Sequence, residues 1–346
     1  MNPYILSIFL LGLGLGTTIT FMSSHWLLAW MGLEINTLAI IPLMAQHHHP
    51  RSVEASTKYF LTQATAAAMI LFASSTNAWI TGQWGINELS HPMTSTIMML
   101  GLALKIGMAP LHTWMPEVLQ GLDLTTGLIM STWQKLAPFS LLMQMNLNNS
   151  MMITMAVLST LVGGWGGLNQ TQLRKILAYS SIAHIGWMIL VLQFSPSLTL
   201  ITLMIYICMT FSIFTLFKMN KTTSINSLAM SWSKSPTMTA LAPLTLLSLG
   251  GLPPLTGFGP KWMILSELTK QELNTIATIT ALSALLSLYF YLRLSYAMTL
   301  TLSPNTTPST NQWRFTTKKY NMHLSMSTIM SLMLLPLLPS MLAITH

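Results

Sequence analysis

Charge is what this sequence has least of. Only 6% of its 346 residues are Asp, Glu, Lys or Arg, where a soluble domain carries about 25%. So few charges cannot clothe a globule of this size in water, which excludes a soluble enzyme. A hydrophobic fraction of 52% excludes a disordered chain as well. Cysteine is nearly absent: Cys208 stands alone, so no intramolecular disulfide and no cysteine-held iron–sulfur cluster or zinc site can form. No phosphate loop, serine triad or haem-attachment motif occurs. The formal net charge is +8, but the basic residues are scattered between apolar runs, so no contiguous patch exists for nucleic acid. The partner these absences leave is the lipid bilayer.

What is present is a series of apolar runs. A membrane span needs about 20 mainly apolar residues, and eleven candidates occur: 3–22, 25–45, 57–80, 93–121, 124–147, 150–170, 173–193, 197–218, 237–268, 274–298 and 322–345. They are continuously apolar instead of alternating with period two, which favours helices over a barrel. The first run, Pro3 to Met22, has no basic residue ahead of it and is longer than a signal core, so a retained helix is expected. The fold expected is an all-α polytopic membrane protein of about eleven transmembrane helices.

The basic residues test that number. Assigning the gaps alternately to two sides puts Arg51, Lys58, Arg174, Lys175, Lys218, Lys221, Lys234, Arg293, Arg314, Lys318 and Lys319 on the side of the N-terminus. Lys270 alone falls on the other. Such a bias marks the side from which the protein was inserted. One miscounted span would scramble it. The N-terminus is expected on the basic side and the C-terminus opposite.

Four charges belong to neither side. Glu34 lies mid-span in AWMGLEINTLAI, Lys105 in MMLGLALKIGMAP, Lys135 far from either end of its run, and Lys261 just after LGGLPPLTGFGP. Each costs roughly 2.5–3.5 kcal/mol near the bilayer centre, so the four together cost on the order of 10 kcal/mol. Snorkelling of a lysine, or a structural Glu34–lysine pair, is the bland alternative. Three lysines against one glutamate leave an excess of buried positive charge that structure alone has little reason to keep. Burial disfavours an ammonium and a nearby carboxylate favours it. A lysine whose distance from Glu34 varies would therefore take up and release a proton.

Two runs are overlong and interrupted. Run 93–121 contains GMAP and Pro116, and run 237–268 contains GGLPP and GFGP. Proline removes a backbone donor, and in hydrocarbon the freed carbonyls need partners, so broken helices line cavities. Each is the fourth run of a block of five, 1–147 and 148–298, followed by a connecting loop and last helix over 299–346. Five-span blocks run in opposite directions, and inverted repeats with interrupted helices in corresponding positions mark an ion path. His112, two residues after Pro110, and His184, in YSSIAHIGW, are further relay candidates, or equally packing residues. Gly12, Gly14 and Gly16 mimic a dinucleotide loop without a preceding strand, and close helix packing explains Gly12 and Gly16 better. Gly163, Gly164, Gly166 and Gly167 receive the same reading. The His47–His49 triplet beside Pro50 is a weak metal candidate, and the 29 methionines are mostly apolar filler.

Five stretches carry a resemblance: HWLLAWMGLEINTLAIIPL (25–43), KYFLTQATA (58–66), MAPLHTWMPEVLQG (108–121), WGGLNQTQLRKILAYSSIAHIGWM (165–188) and LLSLGGLPPLTGFGPKW (246–262). By them the chain resembles, from end to end, the subunit 2 family of the mitochondrial NADH:ubiquinone oxidoreductase, respiratory complex I, in its short animal form. The resemblance implies an antiporter-like fold of two inverted five-helix units, each with a broken helix. It implies a carboxylate–lysine pair at Glu34 and Lys105, a central relay lysine at Lys135 and a terminal lysine at Lys261. It also implies a multi-pass protein of the mitochondrial inner membrane with its N-terminus on the matrix side and its C-terminus on the intermembrane-space side. The partners implied are other membrane-arm subunits, including a neighbouring antiporter-like subunit and small membrane subunits, with cardiolipin a candidate lipid. FMN, iron–sulfur clusters and ubiquinone would be held by other subunits, with no cofactor or metal in this chain.

The leading expectation is a proton-translocating membrane subunit of a redox-driven pump. Two rivals stay open: an autonomous proton/cation antiporter, which would transport when reconstituted alone, and a structural subunit that spaces its neighbours.

Overall fold

The computed structural model describes residues 2–46, 49–89, 91–145, 149–233, 235–300 and 322–345. His47, His48, Lys234, Arg314, Lys318 and Lys319 lie outside them. The described residues are built of helices, and they divide into two units, Met1–Leu158 and Ser159–His346.

The first unit starts with α1 (Pro3–Met22) and α2 (Trp26–Met44), packed face to face. Gly16 and Gly32 set their approach: a Cβ on Gly16 would lie 2.8 Å from the Gly32 carbonyl, and one on Gly32 2.9 Å from the Gly16 carbonyl. Gly16 thus serves helix packing, as expected, and Gly12 faces Ala39 on α2, whereas Gly14 faces open space. Next come α3 (Pro50–Thr81), α4 (Pro92–Ile106), α5 (Trp114–Gly121), α6 (Leu124–Ser131) and α7 (Trp133–Gln144). His49 caps α3 by accepting a hydrogen bond at Nδ1 from the Arg51 N–H (3.2 Å). The next helix, α8 (Asn149–Gly166), carries the division between the units.

The second unit continues with α9 (Leu173–Leu192), α10 (Pro196–Asn220), the short α11 (Ile225–Ala229), α12 (Pro236–Gly250), α13 (Phe258–Lys270) and α14 (Asn274–Thr299). It ends in α15 (Met322–Met333) and α16 (Leu338–Thr345), bent by 67° at Leu334. Gly163 on α8 and Gly167 just after it again admit close neighbours: a Cβ on Gly163 would meet the Ala183 backbone nitrogen at 2.6 Å, and one on Gly167 the Phe290 ring at 2.8 Å.

Each apolar run coincides with one helix or a pair of helices. By length and composition five described helices could cross a membrane, or six if the bent last pair is one span. Large apolar side chains such as Leu11, Phe72, Leu282 and Leu285 are exposed, as a lipid surrounding favours.

Loops two apart in sequence are tied together within each unit. In the first, Trp26 donates its N–H to the Trp84 carbonyl and Ile86 to that of Ser24, both at 3.1 Å. In the second, Leu173 donates to Thr223 (3.1 Å) and Ile225 to Thr171 (3.2 Å), while Arg293 Nη1 donates to the Leu168 carbonyl at 2.7 Å.

The run 124–147 departs from expectation, because it is not one helix. Thr132 (φ −114°, ψ −69°) interrupts it between α6 and α7. Its hydroxyl and its N–H both bond the Leu128 carbonyl, at 2.8 and 3.0 Å. A threonine bonding back to residue i−4 bends a helix, and Pro138 loosens the turn that follows. Lys135 is therefore not in the middle of a continuous helix but in the first turn of α7.

Candidate functional site

The breaks position the charged residues. α4 ends at Gly107, whose left-handed backbone (φ +84°) suits glycine. Ordered turn then leads through a cis Ala109–Pro110 peptide to α5. The last carbonyls of a broken helix lack intrahelical partners. Gly107 and Met108 both return their N–H to Ala103, and the indole of Trp114 reaches back to the Leu104 carbonyl at 3.0 Å. Lys105 lies in this last turn, only 7% exposed.

Lys105 and Lys135, the latter 6% exposed, line one cavity inside the first unit. Its wall also carries the neutral polar residues Asn36, Tyr59, Gln63 and Gln134. The room for water centres is about 10 Å³, roughly one water site. Lys105 Nζ has no hydrogen-bond partner among the described residues, and neither has the buried Oε2 of Glu34. Glu34 and Lys105 form no ion pair within 4.0 Å. His112 sits in the turn between α4 and α5, its Nδ1–H donating to the Pro110 carbonyl at 3.2 Å, and is not on the cavity wall.

The second unit has a cavity of its own, of about 20 Å³, lined by Lys261, His184, Thr202 and Tyr206 among others. Lys261, in the first turn of α13, reaches back across the break and donates Nζ–H to the Gly250 carbonyl at 2.8 Å. Gly251 (φ +81°) leaves the space for that reach: a Cβ there would lie 2.9 Å from Lys261 Cδ and 3.0 Å from Nζ. His184 donates Nδ1–H to the Ser180 carbonyl at 2.7 Å, and its ring stands 5.5 Å from that of Tyr206. The structure thus brings Lys105 together with Lys135, and Lys261 together with His184.

Sequence reasoning passed over Asn36, Tyr59, Gln63 and Tyr206. Their signal was present, since an amide or a phenol in the middle of an apolar run needs a partner as a charge does. It also passed over Glu117, which pairs with Lys58 at 2.8 Å; Lys58 pairs equally with Glu54 at 2.8 Å, tying α5 to α3.

A chain whose described residues are helical and apolar, with interruptions after Lys105, before Lys135 and before Lys261, has the build of an antiporter-like membrane subunit. Comparison with known proteins agrees. Residues 23–287 match the family described as NADH:quinone oxidoreductase/Mrp antiporter, TM, and residues 288–342 match NADH dehydrogenase subunit 2 C-terminus. The chain is 69% identical to the NADH-ubiquinone oxidoreductase chain 2 of Tetraodon nigroviridis, over 99% of both chains. It is 68% identical to that of Carassius auratus over the full length of both. Among solved structures it superposes on a chain of respiratory complex I from Thermus thermophilus, with bound aureothin, at a TM-score of 0.86 and 25% identity. That match covers 99% of this chain and 80% of the other. The chain belongs to the NADH:quinone oxidoreductase/Mrp antiporter family and, within it, to the branch of NADH dehydrogenase subunit 2.

Proposed function

We propose that the chain is a proton-translocating core subunit of the membrane arm of NADH:ubiquinone oxidoreductase in the mitochondrial inner membrane. The observation that carries this reading is the single cavity lined by two buried lysines, Lys105 and Lys135, with the Glu34 carboxyl acting on the first. In water-poor surroundings an ammonium is tolerated only with compensation. Drawing Glu34 away from Lys105 removes that compensation, so the Lys105 proton passes to Lys135. Lys261 is the terminal group, from which the proton leaves on the opposite side. His184, which shares the cavity of Lys261, is a relay candidate there; His112 is the weaker one. Moving one charge against the potential costs about 2.3 kcal/mol per 100 mV, so the energy enters from neighbouring subunits. FMN, iron–sulfur clusters and ubiquinone belong to those other subunits, and cardiolipin is the candidate lipid at this one.

The topology proposed is eleven crossings in two inverted blocks, 1–147 and 148–298, with 299–346 as connection and last crossing. The N-terminus faces the matrix and the C-terminus the intermembrane space. The loop ties support it, because residues 24–26 with 84–86, and 171–173 with 223–225, are gaps that alternate counting puts on one side. The bond from Arg293 to Leu168 and the ion pair between Lys58 and Glu117 fit the same assignment.

The test is Lys135→Met in the assembled complex, reconstituted in vesicles. Assembly is expected to persist while proton translocation falls about 100-fold or more, the scale of a lost proton-transfer group. Full pumping by this variant would remove the relay and leave the spacer reading in its place.

A further inference from the structure

Two carboxamides on the wall of the first cavity have no structural occupation. Asn36, on α2, is 2% exposed, and both its Oδ1 and its Nδ2 lack a hydrogen-bond partner among the described residues. Gln63, on α3, is 3% exposed, and its Nε2 likewise lacks one. A buried amide left unpaired costs about 1–3 kcal/mol for each group, and native interiors pair such groups with protein or with ordered water. Gly16 on α1 leaves the room in which the Asn36 amide sits, since a Cβ there would meet its Oδ1. Lys105 Nζ, also unpartnered, and Lys135 are on the same wall.

We infer that Asn36 and Gln63 are positioning residues which hold an ordered water between Lys105 and Lys135. This inference rests on the relay reading above. A carboxamide carries both donors and an acceptor and does not titrate, so it orients a water for transfer without trapping the proton. In the step, one N–H bond of the Lys105 ammonium breaks and its proton goes to the water oxygen. The water gives a different proton to the Lys135 amine, where a new N–H bond forms. The water is unchanged, one proton has moved, and neither amide has gained or lost a hydrogen. An apolar wall would hold the water less often and in no fixed orientation.

The test is made in the whole complex in vesicles with Gln63→Met and Asn36→Leu, which keep approximate volume and remove the amides. Proton translocation is expected to fall about fivefold in each, the rate equivalent of one hydrogen bond, with the amount of assembled complex unchanged. A density map of the unsubstituted complex is expected to show a water within about 3.2 Å of both carboxamides, and a map of Gln63→Met to lack it. Unchanged pumping in both variants, or a dry cavity in the native map, overturns the inference. Where a variant fails to assemble, the native map decides alone. Impaired pumping in Lys135→Met with normal pumping in the amide variants defeats only this inference; full pumping in Lys135→Met defeats the relay itself.

Discussion

The two breaks solve one chemical problem in different ways. Where a helix stops inside an apolar medium, its last carbonyls need donors and its C-terminal end favours a cation. In the first unit the neutral indole of Trp114 bonds the freed Leu104 carbonyl, which leaves the Lys105 ammonium without a hydrogen bond. In the second unit no indole intervenes, and Lys261 itself bonds the freed Gly250 carbonyl from the far side of the gap. Both lysines end near the C-terminus of the helix that precedes the break, one as part of that helix and one by reaching back. The first is compensated at a distance by a carboxylate and surrounded by amides; the second is held by backbone. Lys261 is thus tied to backbone by a hydrogen bond, whereas Lys105 has none among the described residues. The lesson is that the capping donor at each break decides whether its lysine is bonded to backbone.

The comparison breaks most violently at Gly257. A Cβ there would lie 1.8 Å from the Ser248 carbonyl oxygen, a distance no rotamer relieves because backbone is on both sides. Gly257→Ala is expected to prevent closure of the second break and to abolish accumulation of the complex, seen on native gels. Normal assembly would mean that the gap is far looser than drawn. Gly251→Ala is milder: it strains the left-handed backbone by roughly 1–2 kcal/mol and crowds Lys261. The complex should assemble with a lowered melting temperature and pump several-fold more slowly, because the bond to Gly250 is displaced. Unimpaired pumping would mean that this bond does not set the position of Lys261. The smallest effect is expected in the first unit with Glu117→Gln, which loosens the exposed brace between α5 and α3. A surface ion pair contributes about 0–1 kcal/mol, so thermal stability should drop slightly at low salt and not at high salt. A large loss would mean that this brace, not the indole cap, supports the first break.

The helical membrane build was legible from composition, because continuous apolar runs respond directly to the bilayer. The two main breaks were legible too, since GMAP and GGLPP write the lost donors and the left-handed turns into the sequence. The interruption at Thr132 was not. No glycine or proline stands at it, and the cause is a side-chain hydroxyl competing for the Leu128 carbonyl, which depends on a rotamer. Lys135 was consequently placed in mid-helix, whereas it starts a new one. The walls of the cavities were also out of reach. Asn36 and Gln63 carry no charge to draw attention, and only the packing of α2 against α3 puts them beside Lys105. Of the histidine triplet, His49 has a plain occupation as a helix cap.

The bent tail has a bearing on the second lysine. Thr256 donates its hydroxyl to the Ser331 carbonyl, and a Cβ on Gly259 would strike Leu338 Cδ1 at 2.0 Å. Ser331 and Leu338 stand on opposite sides of the 67° bend, so the tail grips the hinge of Lys261 like the two jaws of a bracket. The turn that precedes Lys261 is therefore held from both arms of the bent tail.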